Sequence, residues 1–524
     1  MISSNSRLAS EAGVEILKKG GNAVDAAVAT GFAMAVTFPQ AGNIGGGGFM
    51  VIRMADGRSG AMDYREIAPL AATRNMYVDA HGKLTDRSTK GALAVGVPGA
   101  VAGMAAALQK YGTMSLHDVM QPAIELADSG FLVDSALSRA VAAGRSLISP
   151  YEGASVFLPN GQPIAPGTRL VQPQLARTLR AIADKGPDAF YHGWIADSLV
   201  AEMHRDHGII TTADLAKYQA IWRDPIKGTY RGDTIYSMPP SSSGGVIAVE
   251  MLNIFETWPT LPPFGSTAYV HDVAEVFRRA FIDRNTELGD PAFVKDPVDR
   301  LTSKAYARTL RDSILPDKAS KTPAFAESGK EPMHTTHYSV VDSAGDAVST
   351  TTTLNSLFGS GNYVGGAGFF LNDEMDDFAS QPGSPNQFGL VQGEANAIAP
   401  GKRMLSAMTP SIVVDQNGKA LLVVGAAGGP TIITATVQII LNVIDHQMSL
   451  ADAMSAPRLH DQAWPDRLEY ERGGLTQPVI DSLQSMGYAL FPVRHLANAN
   501  AVMRVAGGWQ GMVEPRSTGG AVGY

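Results

Sequence analysis

The sequence predicts a globular protein of mixed helix and strand class, and three observations lead to that class. Along the first two-thirds of the chain, apolar residues at helical spacing alternate with turns. A polar, proline-bearing stretch without periodicity, residues 313–333, then indicates a linker. After it the pattern changes to strand-like runs rich in threonine and valine. With 524 residues, 45% of them hydrophobic, the chain is long enough to bury an ample core.

Two segments before the linker predict specific elements. The apolar run from Ala26 to Phe38 stops at Pro39 and falls short of the roughly 18 residues that span a bilayer, so it predicts a buried helix, with Asn22 as its cap. Residues 230–256 predict a strand, a turn of proline, serine and glycine, and a long helix.

The two strand patterns that follow the linker predict a β-hairpin. The runs "THYSVVD" (336–342) and "AVSTTTTLN" (347–355) flank a three-residue turn with Gly345 in the left-handed conformation. Pairing centred on Ala344 places Thr335 opposite Thr353, with Cβ atoms roughly 4.5–5.5 Å apart. Two hydroxyl groups then meet at the open end of the hairpin.

This pair of threonines suits a particular chemistry. A threonine hydroxyl is a poor nucleophile without a neighbouring base, and in N-terminal threonine enzymes that base is the residue's own α-amino group. Cleavage of the bond between His334 and Thr335 would create the amine, and Thr353 would orient the hydroxyl. Strand propensity alone also explains threonine-rich runs. From this stretch by itself, both interpretations stay open.

A second candidate feature is the glycine pair Gly428-Gly429, which follows an apolar strand pattern and precedes Pro430 at the start of a predicted helix. Backbone N–H groups at such a turn can stabilise a developing oxyanion. An ordinary tight turn is the alternative interpretation.

Charged residues supply further candidates. The clustered carboxylates of "LNDEMDDF" could hold an ammonium group, or could form a solvated acidic loop; they are Glu374, Asp376 and Asp377. Arg65 lies between a strand-like run and a turn, where a surface ion pair is the alternative.

Composition and failed motifs exclude several classes of protein. The formal charge of −8 gives no reason to expect nucleic acid or an anionic membrane as partner, which leaves small molecules. Without cysteine there is neither a disulfide nor a thiol nucleophile. The glycine-rich run at 42–50 lacks the spacing of phosphate and dinucleotide loops, so we assign it to backbone packing. No zinc-protease helix motif occurs.

From about Ala9 to Tyr524 the chain resembles the γ-glutamyltranspeptidases (γ-glutamyltransferases, or glutathione hydrolases), with eight motifs in the family's order. These are "GGNAVDAAVATGFAMAVTFPQAGNIGGGGFMVIR", "MDYREIAP", "YSMPPSSSGG", "TTHYSVVDSAGDAVSTTTTLNSLFGSG", "GFFLNDEMDDF", "APGKRMLSAMTPSIV", "GAAGGPTIITATVQIILNVID" and "APRLHDQ".

The resemblance implies an α+β fold of the N-terminal nucleophile hydrolase superfamily, a four-layer αββα sandwich. It implies a precursor that cleaves itself between His334 and Thr335 into a large chain, 1–334, and a small chain, 335–524. The two chains would form one intertwined heterodimer, and neither a cofactor nor a metal is implied.

The resemblance also implies the reaction. Thr335 attacks the γ-amide carbonyl of glutathione or a related donor, and the γ-glutamyl ester passes to water, an amino acid or a dipeptide. Asn355, two residues beyond Thr353, is expected on the same strand face. The remaining implied roles are carboxylate binding by Arg65 and Ser406, ammonium binding by Asn355, Glu374 and Asp377, and an oxyanion hole from the amides of Gly428 and Gly429.

One departure from the family pattern bears on the substrate. Where the family has Pro-Leu-Ser-Ser-Met, residues 404–408 are Met-Leu-Ser-Ala-Met, so Ala407 replaces a hydroxyl donor. Such a loss costs about 1.5–3 kcal/mol, roughly ten- to hundredfold in binding. It raises the alternative of a cephalosporin or glutaryl acylase of the same fold, although such an enzyme would have little use for the ammonium-binding set. A second alternative is an uncleaved, inactive homologue that binds γ-glutamyl compounds.

Two expectations concern the surroundings of the site and of the protein. The segment Ser380–Arg403 resembles a lid loop that narrows donors to small ones. Family members are commonly exported, so a periplasmic or extracellular location is expected. No signal peptide is visible, and a complete chain would therefore be cytoplasmic.

Overall fold

The computed structural model describes residues 1–322 and 333–524. Fifteen α-helices lie in the first of these ranges and three in the second. They are α1 (Arg7–Lys18), α2 (Ala23–Thr37), α3 (Ala100–Tyr111), α4 (Leu116–Ser129), α5 (Ser135–Ala143), α6 (Arg145–Ile148), α7 (Ala154–Phe157), α8 (Pro173–Lys185), α9 (Asp188–Tyr191), α10 (Trp194–Arg205), α11 (Thr212–Lys217), α12 (Gly244–Phe255), α13 (Thr267–Glu287), α14 (Val298–Leu301), α15 (Lys304–Asp312), α16 (Thr431–Ile444), α17 (Leu450–Ser455) and α18 (Gln477–Ser485).

The strands come from both ends of the chain and from its middle. They are β1 (Ile2–Ser4), β2 (Gly47–Arg53), β3 (Ser59–Asp63), β4 (Phe131–Leu132), β5 (Arg169–Leu170), β6 (Ile221–Arg223), β7 (Ile226–Tyr230), β8 (Asp233–Ser237), β9 (Met333–Val341), β10 (Ala347–Ser356), β11 (Tyr363–Val364), β12 (Phe369–Phe370), β13 (Ser411–Val414), β14 (Ala420–Ala427), β15 (Leu459–His460), β16 (Leu468–Glu471), β17 (Leu490–Val493), β18 (Asn498–Val505), β19 (Gly508–Val513) and β20 (Gly520–Val522).

Two large antiparallel sheets form the centre of the molecule. The first has seven strands in the order β20-β1-β9-β10-β2-β3-β6, and the second has six in the order β19-β18-β14-β13-β8-β7. Strands β9 and β10 of the first sheet pack against β14 of the second. Each sheet therefore contains strands from both sides of residues 334 and 335, so the proposed large and small chains share both sheets.

Helices cover the outer face of each sheet. α1 and α2 pack on β1, β9 and β10, whereas α12 and α16 pack on β7, β8, β14 and β18. Alternate residues of strand β2 therefore face two different cores. Met50 and Ile52 belong to the core under the first helical layer, whereas Phe49 and Val51 belong to the core between the sheets. The layer order is helix, sheet, sheet, helix, and the predicted four-layer αββα sandwich is confirmed.

The elements predicted near the start of the chain form as expected. Every residue of α2 is buried, and its cap is reciprocal: the Asn22 side chain accepts hydrogen bonds from the N–H groups of Val24 and Asp25, and the Asp25 carboxylate accepts one from the Asn22 N–H. Strand β8, the turn at 238–243 and helix α12 confirm the strand, turn and helix predicted for residues 230–256.

The glycine-rich run at 42–50 brings the first sheet close to the predicted nucleophile. A Cβ atom on Gly46 would lie 2.1 Å from the Thr353 carbonyl oxygen, and one on Gly48 would lie 2.4 Å from that of Thr351. Side chains at these positions would push β2 away from β10. The assignment of this run to backbone packing is therefore confirmed.

Part of the predicted linker, residues 313–333, lies outside the described residues. Helix α15 ends at Asp312, and the chain is described again from Met333, where β9 begins.

Candidate active site

The hairpin of β9 and β10 forms in the predicted register. Thr335 pairs with Thr353, Gly345 has a φ of +90° in the turn, and the Oγ1 atoms of Thr335 and Thr353 are 3.2 Å apart. Thr353 is buried, whereas Thr335 is half-buried at the open end of the hairpin. The two hydroxyl groups are thus within hydrogen-bond distance at a position that a small molecule can reach.

Asn355 lies at the same site, but the backbone around it differs from the predicted regular strand. The register shifts after Thr353, so that Ser356 rather than Asn355 pairs with Met333, and Asn355 has a φ of +75°. The simple alternation of strand faces is wrong here, because Asn355 is the extra residue of a bulge. Its N–H donates a 2.7 Å hydrogen bond to the Thr353 Oγ1, which fixes the orientation of that hydroxyl.

Arg65 is fully buried, so its interpretation as a member of a surface ion pair is wrong. Its Nη1 contacts the Glu374 carboxylate and its Nη2 contacts the Asp377 carboxylate. Glu66 lies 3.7 Å from Nη1, and Nε donates a 3.2 Å hydrogen bond to the Met404 carbonyl. Burial alone would lower the pKa of Arg65, but the surrounding carboxylates outweigh it and hold the pKa above its ordinary value.

The carboxylates around Arg65 are shifted in the opposite direction. Burial raises the pKa of Glu374 and of Asp377 against the opposing effect of Arg65, and it raises the pKa of Glu66 to about 7. Both Glu66 oxygens lack a hydrogen-bond partner among the described residues. The cluster therefore gains from an additional cation, and an ammonium group would supply one.

The acidic run divides into groups with different roles. Glu374 and Asp377 line the cavity with Arg65. Asp376 instead accepts hydrogen bonds from the Ser88 hydroxyl, at 2.7 Å, and from the Gln387 N–H, at 3.1 Å. The interpretation of the whole run as a solvated loop is wrong, since Glu374 and Asp376 are buried.

The glycine turn forms between β14 and α16, with φ values of +140° at Gly428 and +54° at Gly429. Among the described residues, neither glycine N–H has a hydrogen-bond acceptor. Two adjacent, uncommitted donors at the start of a helix match the requirement of an oxyanion hole.

Ser406 is held in place by the 241–243 turn. Its carbonyl accepts hydrogen bonds from the Ser243 hydroxyl and N–H, at 2.6 and 2.9 Å, and its own Oγ accepts one from the Met408 N–H at 3.0 Å. The neighbouring Ala407 also borders the cavity, where it presents a methyl group in place of a hydroxyl.

One cavity with an empty volume of about 320 Å³ brings the predicted residues together. Gly428 and Asp376 do not line it directly, although Gly429 does. The predicted residues that line it are Arg65, Thr335, Thr353, Asn355, Glu374, Asp377, Ser406 and Gly429.

Sequence reasoning missed several lining residues, among them Arg284, Met408 and Ile432. Phe388 and Leu390 also line the cavity, and both belong to the Ser380–Arg403 segment, so this loop borders the site as a lid would. Arg284 lies in the last turn of α13, and neither a motif nor helical periodicity distinguishes it from the other arginines of that helix.

The described residues contain neither a metal-binding cluster nor a helix that could span a membrane. No group of three or more His, Cys, Asp or Glu side chains is placed to hold a metal ion. Across the same residues, no helix combines the length and apolar character needed to cross a bilayer.

Comparison with known proteins identifies relatives over the whole chain. The family model of gamma-glutamyltranspeptidase matches residues 9–524. The glutathione hydrolase proenzyme of Pseudomonas sp. strain A14 is 46% identical over 541 residues, covering 100% of this chain and 94% of that protein. The Acylase ACY 1 proenzyme of Pseudomonas sp. strain SE83 is 42% identical over 468 residues, covering 88% and 82%. The crystal structure of cephalosporin acylase from Bacillus halodurans superposes with a TM-score of 0.87 at 27% identity, covering 99% of this chain and 94% of that one.

The four-layer sandwich, shared with a solved acylase, defines a hydrolase of the N-terminal nucleophile class. Within that class, the chain belongs to the gamma-glutamyltranspeptidase family. The predicted family, fold and enzyme class, a hydrolase and acyltransferase, are thereby confirmed.

Proposed function

We propose that this protein is a γ-glutamyl hydrolase and acyltransferase whose nucleophile, Thr335, is released by cleavage of its own precursor. The observation that carries the proposal is the pair of threonine hydroxyls, 3.2 Å apart, at a cavity that also contains Arg65, Glu374 and Asp377. Such a cavity offers a nucleophile, a cation and anions to one small zwitterion.

The proposed cleavage produces the chains 1–334 and 335–524. The Thr335 hydroxyl attacks the carbonyl carbon of His334, the C–N bond breaks, and the resulting ester joins His334 to the Thr335 Oγ. Water then hydrolyses the ester, which leaves a carboxylate on His334 and a free amine on Thr335. Thr353 supports this step because its Oγ1 lies within hydrogen-bond distance of the attacking oxygen. The name "proenzyme" of the 46% identical relative also supports processing.

In the cleaved enzyme, the free amine of Thr335 is the general base. It takes the hydroxyl proton as Oγ attacks the γ-carbonyl of the donor, and it returns the proton to the departing amine. The negative charge on the carbonyl oxygen is stabilised by the N–H groups of Gly428 and Gly429. The γ-glutamyl ester is then released by water or by the amine of an amino acid or dipeptide.

Electrostatics favour the γ-glutamyl group as the acyl part. Its α-ammonium adds a positive charge next to Glu374 and Asp377, with Asn355 as a neutral acceptor, and this relieves the excess of buried carboxylates. Its α-carboxylate lies toward Arg65 and Ser406. Glutathione is the donor that the name of the 46% identical relative suggests.

A cephalosporin or glutaryl acylase is the second candidate, favoured by Ala407 and by the likeness to a solved cephalosporin acylase. A glutaryl group has no ammonium to place against Glu374 and Asp377. We therefore favour the γ-glutamyl donor. The third candidate, an uncleaved binding protein, would have no use for uncommitted N–H groups at the glycine turn.

Three measurements test the proposal. On a denaturing gel, the wild type should give two unequal fragments, the smaller with the N-terminal sequence Thr-Thr-His-Tyr, and Thr335→Ala should stay near 55 kDa and be inactive. A lasting single band in the wild type would support the binding protein instead. Initial rates with γ-glutamyl and glutaryl p-nitroanilides separate the two enzymes, and faster turnover of the glutaryl compound would favour the acylase.

The pair of hydroxyls can be tested separately. Thr353→Ser retains the oxygen that faces Thr335, whereas Thr353→Val replaces it at nearly constant volume. We expect cleavage at near wild-type rate in the serine variant and cleavage at least tenfold slower in the valine variant, followed by gel over time. Equal rates in both variants would remove Thr353 from the mechanism.

We also propose a location outside the cytoplasm, because members of the family are commonly exported. Fractionation of cells that express the gene from its own promoter and start codon tests this, and activity confined to the cytoplasmic fraction would contradict it.

A further inference from the structure

The cavity contains a buried arginine that forms no ion pair among the described residues, although the Asp377 carboxylate is near enough to favour its charged form. Arg284, on α13, is 1% exposed. Its Nε donates a 3.1 Å hydrogen bond to the Ser243 hydroxyl, and its Nη1 donates to the side-chain oxygens of Asn285, at 2.9 Å, and Gln392, at 3.2 Å. All three acceptors are neutral. The second terminal nitrogen, Nη2, has no hydrogen-bond partner in residues 1–322 or 333–524.

The two arginines of the cavity differ in this respect. The guanidinium of Arg65 is engaged by Glu374, Asp377 and the Met404 carbonyl. Arg284 lines the same cavity but has only neutral acceptors and one unused nitrogen. Burial lowers the pKa of Arg284 to about 10, so the group remains charged at neutral pH.

Asp377 favours the charge on Arg284 but is already in contact with Arg65. A buried cation without an ion pair of its own is costly, and an anionic ligand that enters the cavity would relieve that cost. The position of Arg284 indicates which part of a ligand it meets. Its partner Ser243 also holds the carbonyl of Ser406, and its partner Gln392 donates a 3.1 Å hydrogen bond to the Asp377 carbonyl. Arg284 therefore lies toward the end of the cavity formed by Ser406 and Asp377.

We propose that Arg284 is a second carboxylate-binding group of the site, which donates from Nη2 to the α-carboxylate of the donor and so compensates for the hydroxyl absent at Ala407. Arg65, whose nitrogens are already engaged, then contributes positive charge, and Arg284 contributes the open donor. This inference rests on the proposed function, because it assigns a residue to the binding of its γ-glutamyl substrate.

The test compares three p-nitroanilides that differ in their charged groups. The γ-glutamyl compound has a carboxylate and an ammonium, the glutaryl compound has the carboxylate alone, and the 4-aminobutyryl compound has the ammonium alone. For Arg284→Met we expect KM to rise about ten- to hundredfold for both carboxylate-bearing donors. For the 4-aminobutyryl donor, kcat/KM, taken from initial rates at low concentration, should stay within threefold of wild type.

Arg279, on the same helix, provides the matched control. Its side chain is largely buried and forms an ion pair with Glu275, but it does not line the cavity. Arg279→Met should lower the melting temperature and leave the KM of all three donors unchanged. If Arg284→Met instead weakens all three donors equally, or leaves the KM of the carboxylate-bearing donors unchanged, Arg284 is a structural residue and the proposal is wrong.

Two further outcomes are covered by the same design. If Arg284→Met is insoluble, Arg284→Lys is the deciding variant, since it keeps a positive charge but lacks the forked nitrogens. A KM that rises for the two carboxylate-bearing donors and not for the 4-aminobutyryl donor supports the role of Arg284. An unchanged KM for all three donors overturns it. If the wild type turns over the glutaryl donor but not the γ-glutamyl donor, the proposed function fails. The role of Arg284 is then still decided by the glutaryl and 4-aminobutyryl pair.

Discussion

Replacing Arg65 by methionine provides the sharpest test of the charge cluster in the cavity. The guanidinium is completely buried and contacts Glu374 and Asp377, with Glu66 at 3.7 Å. Methionine fills a similar length without charge. Removal of one partner from a buried ion pair typically costs about 3–5 kcal/mol, because the other charge stays buried without compensation.

The cost should depend on pH, since the carboxyl groups can take up protons. Burial already raises the pKa of Glu374 and Asp377 in the presence of Arg65, and loss of the cation raises both further. When folding raises the pKa of an acid, the acid has no destabilising effect at a pH below its pKa in the unfolded chain. As pH rises from that value toward the pKa in the folded protein, the free energy of unfolding falls. Each such group changes the free energy of unfolding by about 1.4 kcal/mol per pH unit in that window. The loss should therefore be larger at pH 8 than at pH 5.

The assay is urea unfolding at both pH values, with every variant made in the Thr335→Ala background so that a single chain is measured. We expect a loss of about 3–5 kcal/mol at pH 8 and clearly less at pH 5. Arg58→Met is the matched control, because the Arg58–Asp56 pair is exposed to solvent and its loss should leave the free energy of unfolding nearly unchanged. A loss for Arg65→Met below about 1 kcal/mol at pH 8, or one equal at both pH values, would refute the reasoning.

Three further predictions concern single positions. Ala407→Ser should lower KM for the γ-glutamyl anilide about tenfold with little change in kcat, and an unchanged KM would show that the missing hydroxyl is unimportant. Gly428→Ala should reduce kcat/KM at least tenfold, because the residue has a φ of +140° and the new Cβ would lie 2.5 Å from the Thr431 Oγ1. Gly473→Ala is the control: Gly473 has a φ of +79° with open space around it, and this variant should retain activity. Burial raises the pKa of Asp373 from 3.8 to about 8. The stability that protonated Asp373 contributes is therefore fully present below pH 3.8 and is lost as pH rises through about 8. Asp373→Asn should flatten this fall by up to about 1.4 kcal/mol per pH unit in urea unfolding, and parallel pH curves for the two proteins would contradict it.

Several features were predictable because the information is local. Alternating residues and a short turn with Gly345 define the pairing of β9 with β10, and the observed register, with Thr335 opposite Thr353, is the predicted one. Asn22 caps α2 because the cap depends on residues within one helical turn. Asn355 shows the limit of this reasoning, since a bulge is not visible in the alternation of side chains and moves the residue out of the predicted pattern.

The sequence by itself determined the family, the mixed α+β class and the hairpin register, because each depends on motif order or on contacts between near neighbours. The tertiary structure alone decided that Arg65 is buried against acidic residues 309 and 312 positions later in the chain. It also decided that Arg284 lines the same cavity with only neutral hydrogen-bond acceptors. Burial and charge compensation depend on which distant segments pack together, and helical or strand periodicity contains no information about that choice.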